Sequence, residues 1–295
     1  MTGERIVVVG DVINDIVAVP RIPQRPDTDT PASIRPRSGG SAANTAAWLG
    51  SLDAPVDFVG AVGSADADAH EREFREVGVV PHLQREHGIP TGTIVIVVEG
   101  EQRSMLTERG ANAALRVETV TDELLAAAAV LHVSGYSILD GFGARGARAL
   151  LDRAAEAGVP VSVNPASVGY LSDFGVDAFL GAIAGTTLLF PNLAEARLLT
   201  GLEDAVAAVR ALTVDFPIVA MTLASEGVLV SARGADPVLV PAPAVRSVDP
   251  TGAGDAFTAG FLEHWVRSGD PIAASRAGVL VAARAVMLIG GRPPI

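Results

Sequence analysis

Val248-Asp249-Pro250-Thr251-Gly252-Ala253-Gly254-Asp255-Ala256-Phe257-Thr258-Ala259-Gly260-Phe261 is the stretch from which the rest of the chain can be read. Strand-like residues precede it, Val238 to Val240 and then Val245 to Val248. Beyond it Phe257, Phe261 and Trp265 recur at every fourth position, the spacing of an apolar helix face. The two glycines therefore belong to a loop that enters a helix. With little or no side chain at Gly252, Ala253 and Gly254, a ligand can approach their N–H groups, which at a helix start lack intrahelical acceptors. The positive end of the helix dipole adds to them, so the turn suits an anion. Asp255 is the odd member, because its carboxylate would repel a phosphate held there. Two roles fit it: a cap of the helix start, or a base that takes the proton of a hydroxyl attacking a phosphoryl group.

Working outward, the chain of 295 residues is 49% hydrophobic and 4% aromatic, enough for a large core packed from Ala, Val and Leu. No apolar run reaches membrane-spanning length, and the first ten residues lead into a strand instead of a signal-like leader, so a cytoplasmic protein without a membrane partner is expected. The absence of cysteine removes disulfides, thiolate metal sites and cysteine nucleophiles. All 22 basic residues are arginines. Without lysine there is no Walker-type phosphate loop, Schiff base or catalytic ammonium. An excess of 34 acidic over 22 basic residues argues against a nucleic-acid partner.

Ile6-Val7-Val8-Val9-Gly10 is a continuous apolar run, as in a strand buried on both faces of a parallel sheet. Asp11, Asn14 and Asp15 follow, where open α/β sheets bind ligands or where a turn is solvated. Residues 20–37 hold five prolines, as in a loop or edge strand. Ser38-Gly39-Gly40-Ser41-Ala42-Ala43-Asn44 is a second glycine-led turn into a helix, and Thr91 to Leu106 read as a hairpin turning at Gly100. Leu188-Leu189-Phe190-Pro191-Asn192-Leu193-Ala194-Glu195 is a strand entering a helix, with Asn192 and Glu195 spaced as a capping box. Thr222-Leu223-Ala224-Ser225-Glu226-Gly227 is a turn after the strand Ile218 to Leu223. Gly141-Phe142-Gly143-Ala144-Arg145-Gly146 satisfies G-x-G-x-x-G, but it starts eight residues after its strand, and the next strand ends at Asn164 instead of an acid, which argues against a dinucleotide site. The five histidines show no metal-ligand spacing and read as surface or packing residues. Solid apolar strands alternating with helices predict an α/β fold with a mostly parallel sheet.

Residues 249–261 meet at every position the D-x-x-G-A-G-D signature of the ribokinase-like (PfkB) carbohydrate kinases, and residues 38–49 resemble that family's first signature. The resemblance covers essentially the whole chain. It implies one domain over residues 1–295, a three-layer α/β/α sandwich with a small β-sheet lid formed by about 12–37 and 91–108. It implies Asp255 as catalytic base and the Gly252, Ala253 and Gly254 amides as the hole for the transferred charge. Asp15, Gly39, Gly40 and Asn44 would bind the substrate, and Arg109 in Arg109-Gly110-Ala111-Asn112 would clamp a phosphoryl group or an acidic substrate unless it is a surface arginine. Asn192, Thr222, Ala224 and Gly227 would contact ATP, with Glu195 acting through water on Mg²⁺. Asp249 with the loop before Gly290 resembles the monovalent-cation (K⁺) site of potassium-activated members. Two departures concern the substrate side: Asp53 stands where the first signature has Gly or Ser, and Ser41 where ribokinases often carry lysine. A third is Ala224, which replaces a glycine; if that glycine needed a positive φ, alanine costs around 1 kcal/mol there.

The expected activity is an ATP-dependent phosphorylation of a hydroxyl on a sugar or sugar-like molecule. The alternative inside the fold is an adenosine or pseudouridine kinase, and remote alternatives are an NAD-binding oxidoreductase and a non-catalytic sugar sensor. Pairing of lids into a homodimer is expected from the family.

Overall fold

The computed structural model of the chain describes residues 4–99 and 102–294. The hairpin turn expected at Gly100 lies outside these residues. The first apolar run forms β1 (Arg5–Val9), whose Val7 and Val9 join one hydrophobic cluster while Ile6 and Val8 join another. That two-sided burial is why the run is solidly apolar instead of alternating.

The chain continues through β2 (Ile13–Pro20), β3 (Ala32–Gly39), α1 (Ser41–Ser51), β4 (Val56–Gly63), α2 (Ala67–Glu76), β5 (Val79–Glu86), β6 (Gly92–Glu99) and β7 (Gln102–Glu108). It then alternates as α3 (Asp122–Ala127), β8 (Ala128–Ser134), α4 (Gly143–Glu156), β9 (Val161–Asn164), α5 (Val168–Phe174), α6 (Val176–Ala182) and β10 (Leu188–Leu189). The remainder is α7 (Leu193–Thr200), α8 (Ala205–Asp215), β11 (Ile218–Thr222), β12 (Gly227–Ala232), β13 (Val238–Pro241), α9 (Ala253–Ser268) and α10 (Pro271–Ala285).

Among the described residues, nine strands form the central sheet in the order β13-β12-β11-β10-β9-β8-β1-β4-β5. It is parallel from β11 to β5, and β12 and β13 close one edge antiparallel. Helices α3 to α8 pack on the Val7/Val9 face, and α1, α2, α9 and α10 on the other, giving three layers. Phe257 and Phe261 of α9 are buried together with Phe190, whose ring sits 4.9 Å from that of Phe261. No helix among the described residues is long and apolar enough to cross a membrane.

A separate four-stranded sheet runs β3-β2-β6-β7. It springs from the carboxyl end of β1, because β2 starts four residues after β1 stops and β3 runs into α1. The buried amide of Asn112 fixes this junction, accepting from the Val12 N–H at 2.9 Å and donating to the Val12 carbonyl at 2.8 Å. Asp66 ties the roots of β2 and β6 together, accepting from Asn14 Nδ2 at 2.8 Å and Thr91 Oγ1 at 2.6 Å.

The sequence expectation for Val245 to Val248 needs correction. These residues are irregular chain, not strand. Pro241 and Pro243 lack the N–H that would extend the ladder of β13, and Val248 and Asp249 donate instead to the Val286 carbonyl at 2.7 and 3.1 Å.

Candidate active site

The parallel strands all point their carboxyl ends to one edge of the central sheet, and the residues singled out from sequence collect along it. At the end of β1, Asp11 is 4% exposed and accepts from the Ser41 N–H at 3.0 Å, the Ala42 N–H at 3.2 Å and Ser134 Oγ at 3.2 Å. It caps α1 from another element, since Gly40 at the cap position has no side chain to do so. Asp15 lies in β2 beside Gly39 of β3, and a Cβ on Gly39 would overlap the Asp15 carboxylate. Glycine there makes room for the acid. Burial raises Asp15 to about 6; the Arg292 charge opposes that shift and the Asp11 charge adds to it.

Asp255 is the third residue of α9, half-buried, and does not cap its helix. Its Oδ1 accepts from Ser41 Oγ at 2.7 Å and its Oδ2 from Asn44 Nδ2 at 2.9 Å, across more than 200 residues of chain. The capping role open to it from sequence is thus excluded. Burial pushes Asp255 up to about 7 against these two hydrogen bonds, with the Asp11 and Asp15 charges raising it further. Such a carboxylate is matched to accepting a proton near neutral pH.

Gly252 is the residue before α9, in the left-handed conformation at φ 75°. The N–H of Ala253 is engaged by the Pro250 carbonyl at 3.2 Å, whereas those of Gly252 and Gly254 meet no acceptor among the described residues. Two of the three amides expected to form the anion hole are therefore free. The start of α9 is anchored over the sheet by Thr258 Oγ1, which donates to Asn164 Oδ1 at the end of β9 at 3.3 Å.

Just after β10, Asn192 caps α7 in a complete capping box: its side chain accepts from the Glu195 N–H, and Glu195 Oε2 accepts from the Asn192 N–H, each at 2.9 Å. Glu195 is buried, which raises it to about 7. Thr222 bridges to Asn192, and the Thr222 N–H donates to Pro191 at 3.0 Å. Gly227 opens β12 at φ 112°. Ala224 stands at φ 50°, the conformation in which alanine is strained. Ala224→Gly is therefore expected to stabilise the fold by about 1 kcal/mol, the αL penalty less part of glycine's entropy, read as a higher denaturant midpoint with unchanged slope.

Among the described residues no three His, Asp or Glu side chains converge as a metal-binding group. The donor set nevertheless fits Mg²⁺ carried by a nucleotide, an ion that keeps several waters and takes one or two carboxylates beside the phosphates. Glu195 Oε2 is committed to Asn192, which leaves its other oxygen for a metal-bound water.

Arg109 is not a surface arginine. Its side chain is 11% exposed, with Nε 2.9 Å from Asp140 Oδ2, Nη2 3.9 Å from Asp11 Oδ2, and the guanidinium 4.6 Å from the centre of the Tyr136 ring. Asp249 is engaged by Arg103, Thr251 and Gly290.

Sequence reasoning missed the segment that joins the two halves. Gly291 accepts from Trp48 Nε1 at 2.9 Å and lies against both Asn44 and Gly252. Arg292 donates to the Gly39 carbonyl at 3.0 Å, and burial lowers its own value to about 10. No local signal marks these residues; Trp48 and Gly39, to which they hydrogen-bond, are more than 240 residues away in the chain.

The sequence model of the pfkB family of carbohydrate kinases matches residues 4–295. The ATP-dependent ribose-1-phosphate kinase of Halopiger xanaduensis is 32% identical, over 85% of this chain and 81% of that protein. The ribokinase of Haemophilus influenzae is 28% identical over 98% and 94%. The crystal structure of adenosine kinase from Sinorhizobium meliloti superposes with a TM-score of 0.87 at 29% identity, covering 100% of this chain and 97% of that one. With a ribokinase-like fold of large, mostly parallel sheet and small separate sheet, and with kinases among its relatives, the chain belongs to the pfkB family of carbohydrate kinases and is a sugar or nucleoside kinase.

Proposed function

We propose that this enzyme transfers the γ-phosphoryl group of ATP to a hydroxyl of a sugar or sugar-like substrate, with Asp255 as general base. One observation carries the reading: the Asp255 carboxylate, raised to about 7, is held by Ser41 and Asn44 at the mouth of a helix whose Gly252 and Gly254 amides are free. The substrate hydroxyl docks against Asp255 with its neighbours on Asp15 and Asn44, and the backbone of Gly39 and Gly40 forms the floor. The two free amides and the dipole of α9 take up charge on the phosphoryl oxygens. Asn192, Thr222 and the 224–227 turn hold the nucleotide, and Glu195 would hold, through water, a Mg²⁺ that would neutralise its phosphates. The small sheet acts as a lid that excludes water.

A nucleoside acceptor is the second reading, favoured by the superposition on an adenosine kinase over the full chain. ATP consumption measured across free sugars, sugar phosphates, polyols and nucleosides separates the two. Turnover with nucleosides and none with sugars replaces the first reading by the second, and turnover with none of them removes both.

The base must be ionised to work. With Asp255 near 7, kcat/KM is expected to rise about tenfold per pH unit below that value and to level off above it. A profile flat from about pH 5.5 to 8 would contradict a base of this kind.

A further inference from the structure

Asp249 lies six residues before Asp255, at the entrance of the loop that carries the free amides. Its Oδ1 accepts three hydrogen bonds, from the Thr251 N–H at 3.0 Å, Thr251 Oγ1 at 2.7 Å and Arg103 Nη2 at 2.9 Å, and its Oδ2 accepts one from the Gly290 N–H at 3.1 Å. Arg103 also donates from Nη1 to Thr251 Oγ1 at 2.6 Å. This donor set does not fit a bound K⁺ at Asp249. A cation ligand must turn lone pairs toward the ion and needs its negative charge uncompensated; here Oδ1 is filled by three donors, Oδ2 already takes the Gly290 N–H, and the Arg103 guanidinium supplies a full counter-charge to the carboxylate.

We infer that Arg103 is the built-in counter-ion of Asp249 and a positioning residue for phosphoryl transfer, so that this chain needs no monovalent cation. The inference rests on the kinase reading given above.

Three physical consequences follow from the geometry. An unpaired carboxylate at this loop would repel the phosphoryl group attracted by the Gly252 and Gly254 amides, and the guanidinium cancels that charge on the spot. The two-point contact fixes Thr251, the residue next to Gly252, so the direction of the free amides depends on it. Arg103 also comes from β7 of the small sheet, while Asp249 and Thr251 belong to the loop entering α9. The pair therefore couples the position of the small sheet to the shape of the anion loop, across 146 and 148 residues of chain.

The test compares KCl with tetramethylammonium chloride at equal ionic strength, which removes screening as a variable. Wild-type kcat is expected to agree within about twofold between the two salts, since a site already neutralised gains nothing from a further cation, and the thermal unfolding midpoint is expected not to move. Arg103→Ala is expected to lower kcat by roughly ten- to a hundredfold, the effect of misplacing a catalytic loop by about 1 Å. Its acceptor KM and unfolding midpoint should stay near wild type, because the pair is partly exposed, and Arg103→Lys should recover part of the rate. Activation of the wild type several-fold by potassium, a potassium-dependent rise in its midpoint, or an Arg103→Ala enzyme with wild-type kcat would each overturn the inference. The wild-type arm decides even if Arg103→Ala fails to fold. If the wild type phosphorylates no acceptor, the kinase reading has failed, and the midpoint in the two salts still judges the cation site.

Discussion

Asp255→Asn is expected to lower kcat by roughly a hundred- to ten-thousandfold, the usual worth of a positioned general base, while acceptor and ATP still bind. The substitution keeps the volume and can keep both hydrogen bonds. Its carbonyl accepts from Asn44 Nδ2 as Oδ2 does now, and the Ser41 hydroxyl can reverse its role to accept from the new amide. What is lost is the ability to take a proton. Stability separates this from misfolding, and its sign can be worked out. Asp255 is near 7 in the folded chain against an ordinary 3.8, so between those values the folded state holds a proton that the unfolded state releases. Its contribution is least unfavourable below pH 4 and becomes a full penalty above pH 7. The asparagine variant escapes the penalty and should unfold at a higher temperature than wild type at pH 8, with the gap closing as pH falls toward 4. A variant both inactive and less stable at pH 8 would mean that the carboxylate supports packing, not proton transfer.

The sequence was most informative where a signal is local. The solid run of β1, the glycines before α9 and the spacing of Asn192 and Glu195 each act within a few residues, and each element stands where the pattern put it. Ala224 also belongs here, because a missing glycine in a turn asks a question that φ alone answers, and φ is positive. Long-range partnerships were not legible. Ser41 stood out only as a departure from a familiar motif, and nothing near it in the chain indicates that its hydroxyl meets Asp255. Asp11 read as either a ligand-binding or a solvated turn residue, because the cap it supplies belongs to a helix thirty residues on. Arg109 looked exposed because a charged side chain between glycine and glutamate gives no hint of Tyr136 or Asp140. Val245 to Val248 read as strand because their apolar character outweighed the prolines before them, which end the ladder.

Gly252→Ala is expected to abolish most of the activity, and here the geometry supplies two independent reasons. At φ 75° the residue occupies the left-handed region, which costs a residue bearing a Cβ about 1–2 kcal/mol. The added methyl would also lie 2.6 Å from the Gly291 carbonyl oxygen and in overlap with its Cα. Neither neighbour can move cheaply. Gly291 is held by Trp48 Nε1 on one side and abuts the Asn44 side chain that donates to Asp255 on the other. A methyl at 252 therefore either shifts the loop, turning the free amides away from the phosphoryl group, or pushes residues 290–292 onto the bond that orients the base. Loss of one oxyanion donor alone costs about a hundred- to a thousandfold in kcat, and this change touches the donors and the base together. The expected outcome is a kcat reduced by at least about a thousandfold, with stability lowered by about 2–3 kcal/mol from the φ penalty and overpacking combined. Gly254→Ala is the control: it sits two residues further on, in the first turn of α9, exposed, with open space where its Cβ would go. It should fold as well as wild type and keep most of its rate. Equal loss from both substitutions would show that bulk near the phosphoryl group, and not the packing of residue 252 on Gly291, governs this loop.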